Sequence, residues 1–196
     1  MAIVSNQWSN QWGQARLKLD NMLFSIYSPI TSGMVISIGL VICVSANADM
    51  RIAVLDFELN DITSLPNTAK EVVRTASFKP LLEQAMTQLG RYEIIYIPID
   101  EQKAENAGLG YLFRFHDVVA KLGNKFGADW VIVSQHSKPS FLYSYLMAHV
   151  VNVQTGQQVA KYDIELKGNH QKVTQRGVRR LSRKIDKVIS HLEKGG

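Results

Sequence analysis

Cysteine is nearly missing from this 196-residue chain: its one copy, Cys43, sits inside an apolar run near the amino terminus. Everything after it therefore lacks both a disulfide and a thiolate metal site. Bulky Ile42 in front of Cys43 also disfavours lipidation, which needs a small residue there. A long apolar stretch is missing too, because the run within Gly33 to Ala46 is too short to span a bilayer comfortably. No Gly-x-Ser-x-Gly elbow is present, and Gly108-x-Gly110 lacks the strand-to-helix context of a phosphate loop. His116, His136, His149, His170 and His191 show neither the i, i+4 nor the His-x-His spacing of a metal pair. These absences argue against thiol, nucleotide-loop, zinc and serine-nucleophile chemistry, and no catalytic residues and no cofactor are expected.

What is present begins with a junction. The eleven-residue run Met34 to Val44 is followed by Ala46-Asn47-Ala48 and then by the strand-like Arg51-Ile52-Ala53-Val54-Leu55-Asp56-Phe57. A short apolar core ending in an A-x-A site is the pattern of a cleaved secretory signal. Residues 1–48 are thus expected to be leader and signal, with 49–196 forming a single α/β domain in the periplasm; retention as an uncleaved anchor is the alternative. The cationic residues that precede the run, Arg16 and Lys18, lie far upstream, so translation could also start downstream of Met1, at Met22 for example. The net charge of +5 persists beyond the leader. In an exported protein, that charge suits acidic protein surfaces or anionic lipid, and export removes nucleic acid as a target.

Periodicity supplies the elements. Residues 51–57 read as a buried strand, and the carboxylates Asp56, Glu58 and Asp61 after it as strand-ending and turn-capping groups, with a ligand site as the alternative. Phe78, Leu81, Leu82, Ala85, Met86 and Leu89 mark one helix face. Pro80 implies a helix start near Ser77 or a kink there, and Gly90 closes the helix. Tyr92 to Ile97 reads as a second strand, Asp100 to Gly110 as a mobile loop, His116 to Phe126 as a second helix, and Trp130 to Val133 as the start of a third strand. Thr174 to Leu192 reads as a closing helix with Val178, Leu181, Ile185, Val188 and Leu192 inward.

Phe141 to Val153 and Gln158 to Gly168 predict a hairpin around Thr155-Gly156. Ala160, Tyr162, Ile164 and Leu166 alternate with Lys161, Asp163, Glu165 and Lys167, so one face is wet. An even-length turn would put Tyr145, Met147, His149 and Val151 on the core face. It would turn Ser144, Leu146, Ala148 and Val150 outward, making Leu146 and Val150 part of an apolar docking strip. The expected architecture is a sandwich: a mixed sheet of about five strands, helices mainly on one face, and a carboxy-terminal helix.

Ile52 to Phe57, Gly127-Ala128-Asp129-Trp130-Val131-Ile132 and Thr155-Gly156 in this element order resemble the amino-terminal domain of the Tol-Pal propeller protein and the curli-secretion-type lipoproteins. Lys138-Pro139-Ser140-Phe141-Leu142, Tyr145-Leu146-Met147, Lys167-Gly168 and Arg176-Gly177-Val178 are similar to an uncharacterised proteobacterial family of exported single-domain proteins. That resemblance implies an envelope location and an accessory or interaction role, and it carries over no catalytic residue. Some relatives carry a cysteine pair before the third strand, which is missing from Phe115 to Phe126 here.

Two clusters remain as binding candidates. Lys138, Ser140 and Tyr143 combine a cation, a Pro-fixed turn and aromatics, which suits an anionic or aromatic group, although the same residues equally make a turn feeding a core strand. Arg179 and Arg180, on a helix face rich in Arg and Lys, suit an acidic partner or anionic lipid. The leading expectation is a non-catalytic envelope module that binds a protein partner. A periplasmic binder of a small anionic solute, or a helper to a periplasmic oxidation or transport system, stands second, and an uncharacterised enzyme third.

Overall fold

The computed structural model describes residues 50–63, 68–168 and 170–195. The expected leader, its apolar run and the Ala46-Asn47-Ala48 motif lie outside these residues. Six strands are present among them: β1 (Met50–Val54), β2 (Glu58–Asp61), β3 (Tyr92–Ile95), β4 (Trp130–Lys138), β5 (Tyr143–Asn152) and β6 (Gln158–Lys167). Five helices accompany them: α1 (Ala69–Thr87), α2 (Ile99–Glu105), α3 (Tyr111–Arg114), α4 (His116–Lys125) and α5 (Gln171–Gly195).

The sheet runs β3-β1-β4-β5-β6, with β1 parallel to both neighbours and β4 to β6 forming an antiparallel meander. The expected first strand is split. After Val54 the chain leaves β4 for three residues and rejoins the same edge as β2, pairing Glu58 with Gln135 and Asp61 with Lys138.

Side-chain alternation divides the core into two layers. Ile52, Val54, Trp130, Ile132, Leu146, Ala148, Val150, Ile164 and Leu166 face α1 and α5. Ala53, Leu55, Val131, Val133 and Val151 face Leu112 and Phe113 of α3 and Val119 and Leu122 of α4. Helices therefore cover both faces. The two long ones make the face foreseen from the sequence, and the three short ones make the other. The stretch expected to be a mobile loop holds α2, anchored by buried Gln102, whose side chain donates to the Ile97 carbonyl and accepts from the Asp56 N–H.

Helix α1 begins at Ala69, well before Ser77, with Pro80 in its interior. The Thr68 hydroxyl caps it by accepting from the Glu71 N–H, so the Thr68-x-x-Glu71 pattern was the start signal and outweighed the proline. In α5, Val178, Leu181 and Ile185 are buried as expected, whereas Leu192 is exposed and Ile189 takes its place.

The hairpin register corrects the expectation. Val150 pairs with Ala160, Ala148 with Tyr162 and Leu146 with Ile164, and an irregularity between Val150 and Val151 carries the pairing on to Gln158. That extra residue on β6 shifts the register by one, so Leu146, Ala148 and Val150 lie on the core face under α1 and α5. Leu146 and Val150 have no exposed surface and cannot touch a partner. The apolar docking strip does not exist.

Candidate functional site

Lys138, Ser140 and Tyr143 come together at one end of the sheet, but each is engaged locally. Lys138 Nζ donates to Asp61 Oδ2 at 3.0 Å and lies 5.7 Å from the centre of the Phe141 ring. Ser140 Oγ accepts from the Leu142 N–H, and Tyr143 stands edge-on to Tyr145. Burial works against the Asp61 carboxylate, yet bonds from the Thr63 hydroxyl and N–H and from Lys138 hold its pKa below the usual range. The crevice at this spot measures about 10 Å³, at most one water. Among the described residues, the crevice beside Lys138 is therefore too small for a small anionic solute. The other carboxylates are also spoken for. Glu58 accepts from Asn106, the Gly110 N–H and Gln135, and Asp56 pairs with Lys79 at 3.4 Å.

Next to this crevice lies a serine–histidine pair. Thr75 donates to the Glu71 carbonyl at 2.9 Å, so its oxygen must accept from His136 Nδ1–H at 2.7 Å. His136 Nε2 is then the acceptor for the Ser144 hydroxyl at 3.0 Å. A nucleophile and its base would be arranged this way, but His136 is fully buried, Ser144 nearly so, and the Phe78 ring edge closes the imidazole off. Burial, with Arg74 and Lys138 adding to it, pushes the His136 pKa down to about 4. The network holds α1 to β4 and β5.

A second histidine pair, invisible in sequence spacing, forms on the other face. His149 Nδ1–H donates to the Phe113 carbonyl at 3.1 Å and faces His116 Nε2 at 2.9 Å, while its ring stacks on Phe113. His149 Nε2 is buried without a partner among the described residues. Protonation there would create an N–H with nothing to receive it, and burial first, then His116 and Lys161, push the His149 pKa down to about 4. Burial lowers His116 as well. Among the described residues no set of three or more His, Cys, Asp and Glu is placed to hold a metal ion.

A concentration of cationic charge lies between β6 and α5. Gly177 lets the helix approach the sheet, since a Cβ there would come within 2.3 Å of Leu166 Cδ2. Beside that contact, Arg176, Arg179, Arg180 and Arg183 recur at i, i+3, i+4 and i+7, one stripe of the helix surface. They line a groove of about 670 Å³ with Lys167 and Glu165, over a floor that includes Ile164 and Leu166. Among the described residues none of the four arginines has a carboxylate within salt-bridge distance, whereas Lys167 reaches Glu165 at 3.9 Å. Arg179 and Arg180 were singled out from sequence. Arg176 and Arg183 were not, though the four-residue spacing was the available signal.

Solved structures with a related outline include the LpoB C-terminal domain from Salmonella enterica (17% identity, 63% of this chain and 87% of that one, TM-score 0.42). Lipoprotein GNA1162 from Neisseria meningitidis is similar at 13% identity over 73% of this chain and 96% of that one, with a TM-score of 0.43. TolB from Acinetobacter baumannii is similar at 13% identity over 73% of this chain but 29% of its own length, with a TM-score of 0.42. No curated protein matches the chain. A family model matches residues 50–185, almost the whole of the sheet and its helices, and the chain belongs to that family, described as "Protein of unknown function (DUF2380)".

Proposed function

We propose that this protein is an exported, non-catalytic envelope module that binds an acidic segment of a protein partner in the groove between β6 and α5. The observation that carries this reading is the stripe Arg176, Arg179, Arg180 and Arg183, four guanidinium groups left without carboxylate partners among the described residues. A planar guanidinium pairs with a carboxylate through two parallel hydrogen bonds, so such a stripe favours acidic side chains in register. Closure of the Ser144–His136 pair inside the core supports a non-catalytic role. Export rests on the apolar run and Ala46-Asn47-Ala48, and amino-terminal sequencing of the envelope fraction should begin at Asp49.

The test is affinity capture from envelope extracts with the parent protein and with Arg179→Glu/Arg180→Glu. A partner held by the parent and lost from the variant, at unchanged thermal stability, is the expected result. Equal recovery by both proteins would overturn the assignment of the groove.

A further inference from the structure

At the end of the sheet away from the start of β1, large apolar side chains are exposed among the described residues. The β4–β5 loop projects Phe141 at 60% and Leu142 at 79% exposure, with Tyr143 beside them. Ile62, 68% exposed, follows β2 to the same end, where its N–H donates to the Lys138 carbonyl. The loop is tied down from behind. The Gly168 N–H donates to the Leu142 carbonyl, and Arg74 Nη2 donates to the Gly168 carbonyl. Large apolar side chains in such an arrangement are held out to solvent by a fixed backbone, and an isolated exposed leucine would need no such support.

The charges at this end are mainly cationic. Lys70 and Lys172, in the first turns of α1 and α5, and Lys167, opposite Tyr143 at the end of β6, are exposed. Asp61 and Glu71 are enclosed, with 3% and 13% of their side chains accessible, and the exposed Glu165 offsets only Lys167, at 3.9 Å. An apolar knob with a cationic excess beside it matches an anionic bilayer surface, where apolar side chains enter the headgroup boundary and lysines reach the phosphates.

We propose that the Phe141-Leu142 loop and the exposed lysines near it form a contact with the anionic surface of a lipid bilayer, distinct from the arginine stripe although Lys167 borders both. The test uses protein purified from the envelope fraction, floated with vesicles of phosphatidylethanolamine and phosphatidylglycerol, and in parallel with phosphatidylcholine vesicles. The parent should float with the anionic vesicles and much less with the neutral ones. Phe141→Ser/Leu142→Ser should reduce flotation by about tenfold or more at an unchanged denaturant midpoint. Arg179→Glu/Arg180→Glu should leave more of it than the loop variant does. In Leu142→Trp, the added tryptophan emission should shift to the blue when anionic vesicles are present. Equal flotation of parent and loop variant, or no blue shift, would overturn the proposal. So would a loop variant that floats normally but loses a captured protein, because the knob would then be seated in a protein pocket.

Discussion

The two faces of the sheet are built differently. Two long helices, α1 and α5, cover one face from β1 across to β6. Three short ones cover the other only over β1, β4 and part of β5, and leave Lys161, Asp163 and Glu165 of β6 in water. The difference teaches where alternation can be read. β6 is covered on one side and wet on the other, so its pattern is clean. The second half of β5 is covered on both sides: Leu146, Ala148 and Val150 are buried on one and His149 and Val151 on the other, so no alternation marks its register.

The sharpest way to break this comparison is to put a charge on the shared core face. Leu146→Asp and Ile164→Asp should each cost on the order of 4 kcal/mol or leave the protein unfolded, because both bury an unpaired carboxylate opposite one another under α5. If Leu146→Asp instead keeps a parental denaturant midpoint, the pairing of Leu146 with Ile164 is wrong.

Next in size is the pH response of the buried imidazoles. Folded His136 and His149 titrate near 4, against about 6.5 in the unfolded chain, so the unfolded state binds more protons between those values. Stability is therefore complete above about pH 6.5 and falls as pH drops toward 4, with a slope approaching 1.4 kcal/mol per pH unit for each histidine. His136 is flanked by Arg74 and Lys138 with Asp61 opposing, and His149 by His116 and Lys161 with Asp163 opposing. Urea midpoints measured across that range check it, and His149→Gln should flatten the slope by about one proton. An unchanged slope in that variant would mean His149 is protonated in the folded state.

A smaller effect is expected where α5 meets β6. Gly177→Ala gains helix propensity but drives a methyl against Leu166, for a net loss of about 1–2 kcal/mol in thermal or chemical unfolding. The smallest effect belongs to the wet face: Lys161→Ala should stay within about 0.5 kcal/mol of the parent.

The closing helix α5, the inward face of α1 from Phe78 on, helix α4 and the exposed set on β6 were legible in the sequence because one periodicity dominates each. The short helices α2 and α3 were not. Gln102 and Gly110 look like loop residues, and their roles come from contacts with Ile97, Asp56 and Glu58, distant or polar, that no local pattern shows. The residue that resets the hairpin lies in Gln158-Val159-Ala160, a stretch without proline or glycine to announce an irregularity. In the candidate groove, the four arginines were legible as a basic helix face, but the emptiness around them depends on where carboxylates from other elements fall. The His116–His149 contact joins residues 33 apart, beyond any spacing rule.

Among the described residues β4 is the one strand with three partners, and its order of assembly has a kinetic consequence. Ile52 pairs with Trp130, and Arg51 bonds Asp129 across 78 residues of chain. β1 emerges before the other strands from any directional translocation or synthesis, and although β3 can pair with one of its edges earlier, the edge facing β4 must wait until that loop is delivered. Closing so large a loop before the sheet can propagate slows folding. The same centrality makes the middle of β4 the last place to open: its amides should exchange with deuterium only when the whole molecule unfolds, while those at the outer edge of β6 exchange through local fraying.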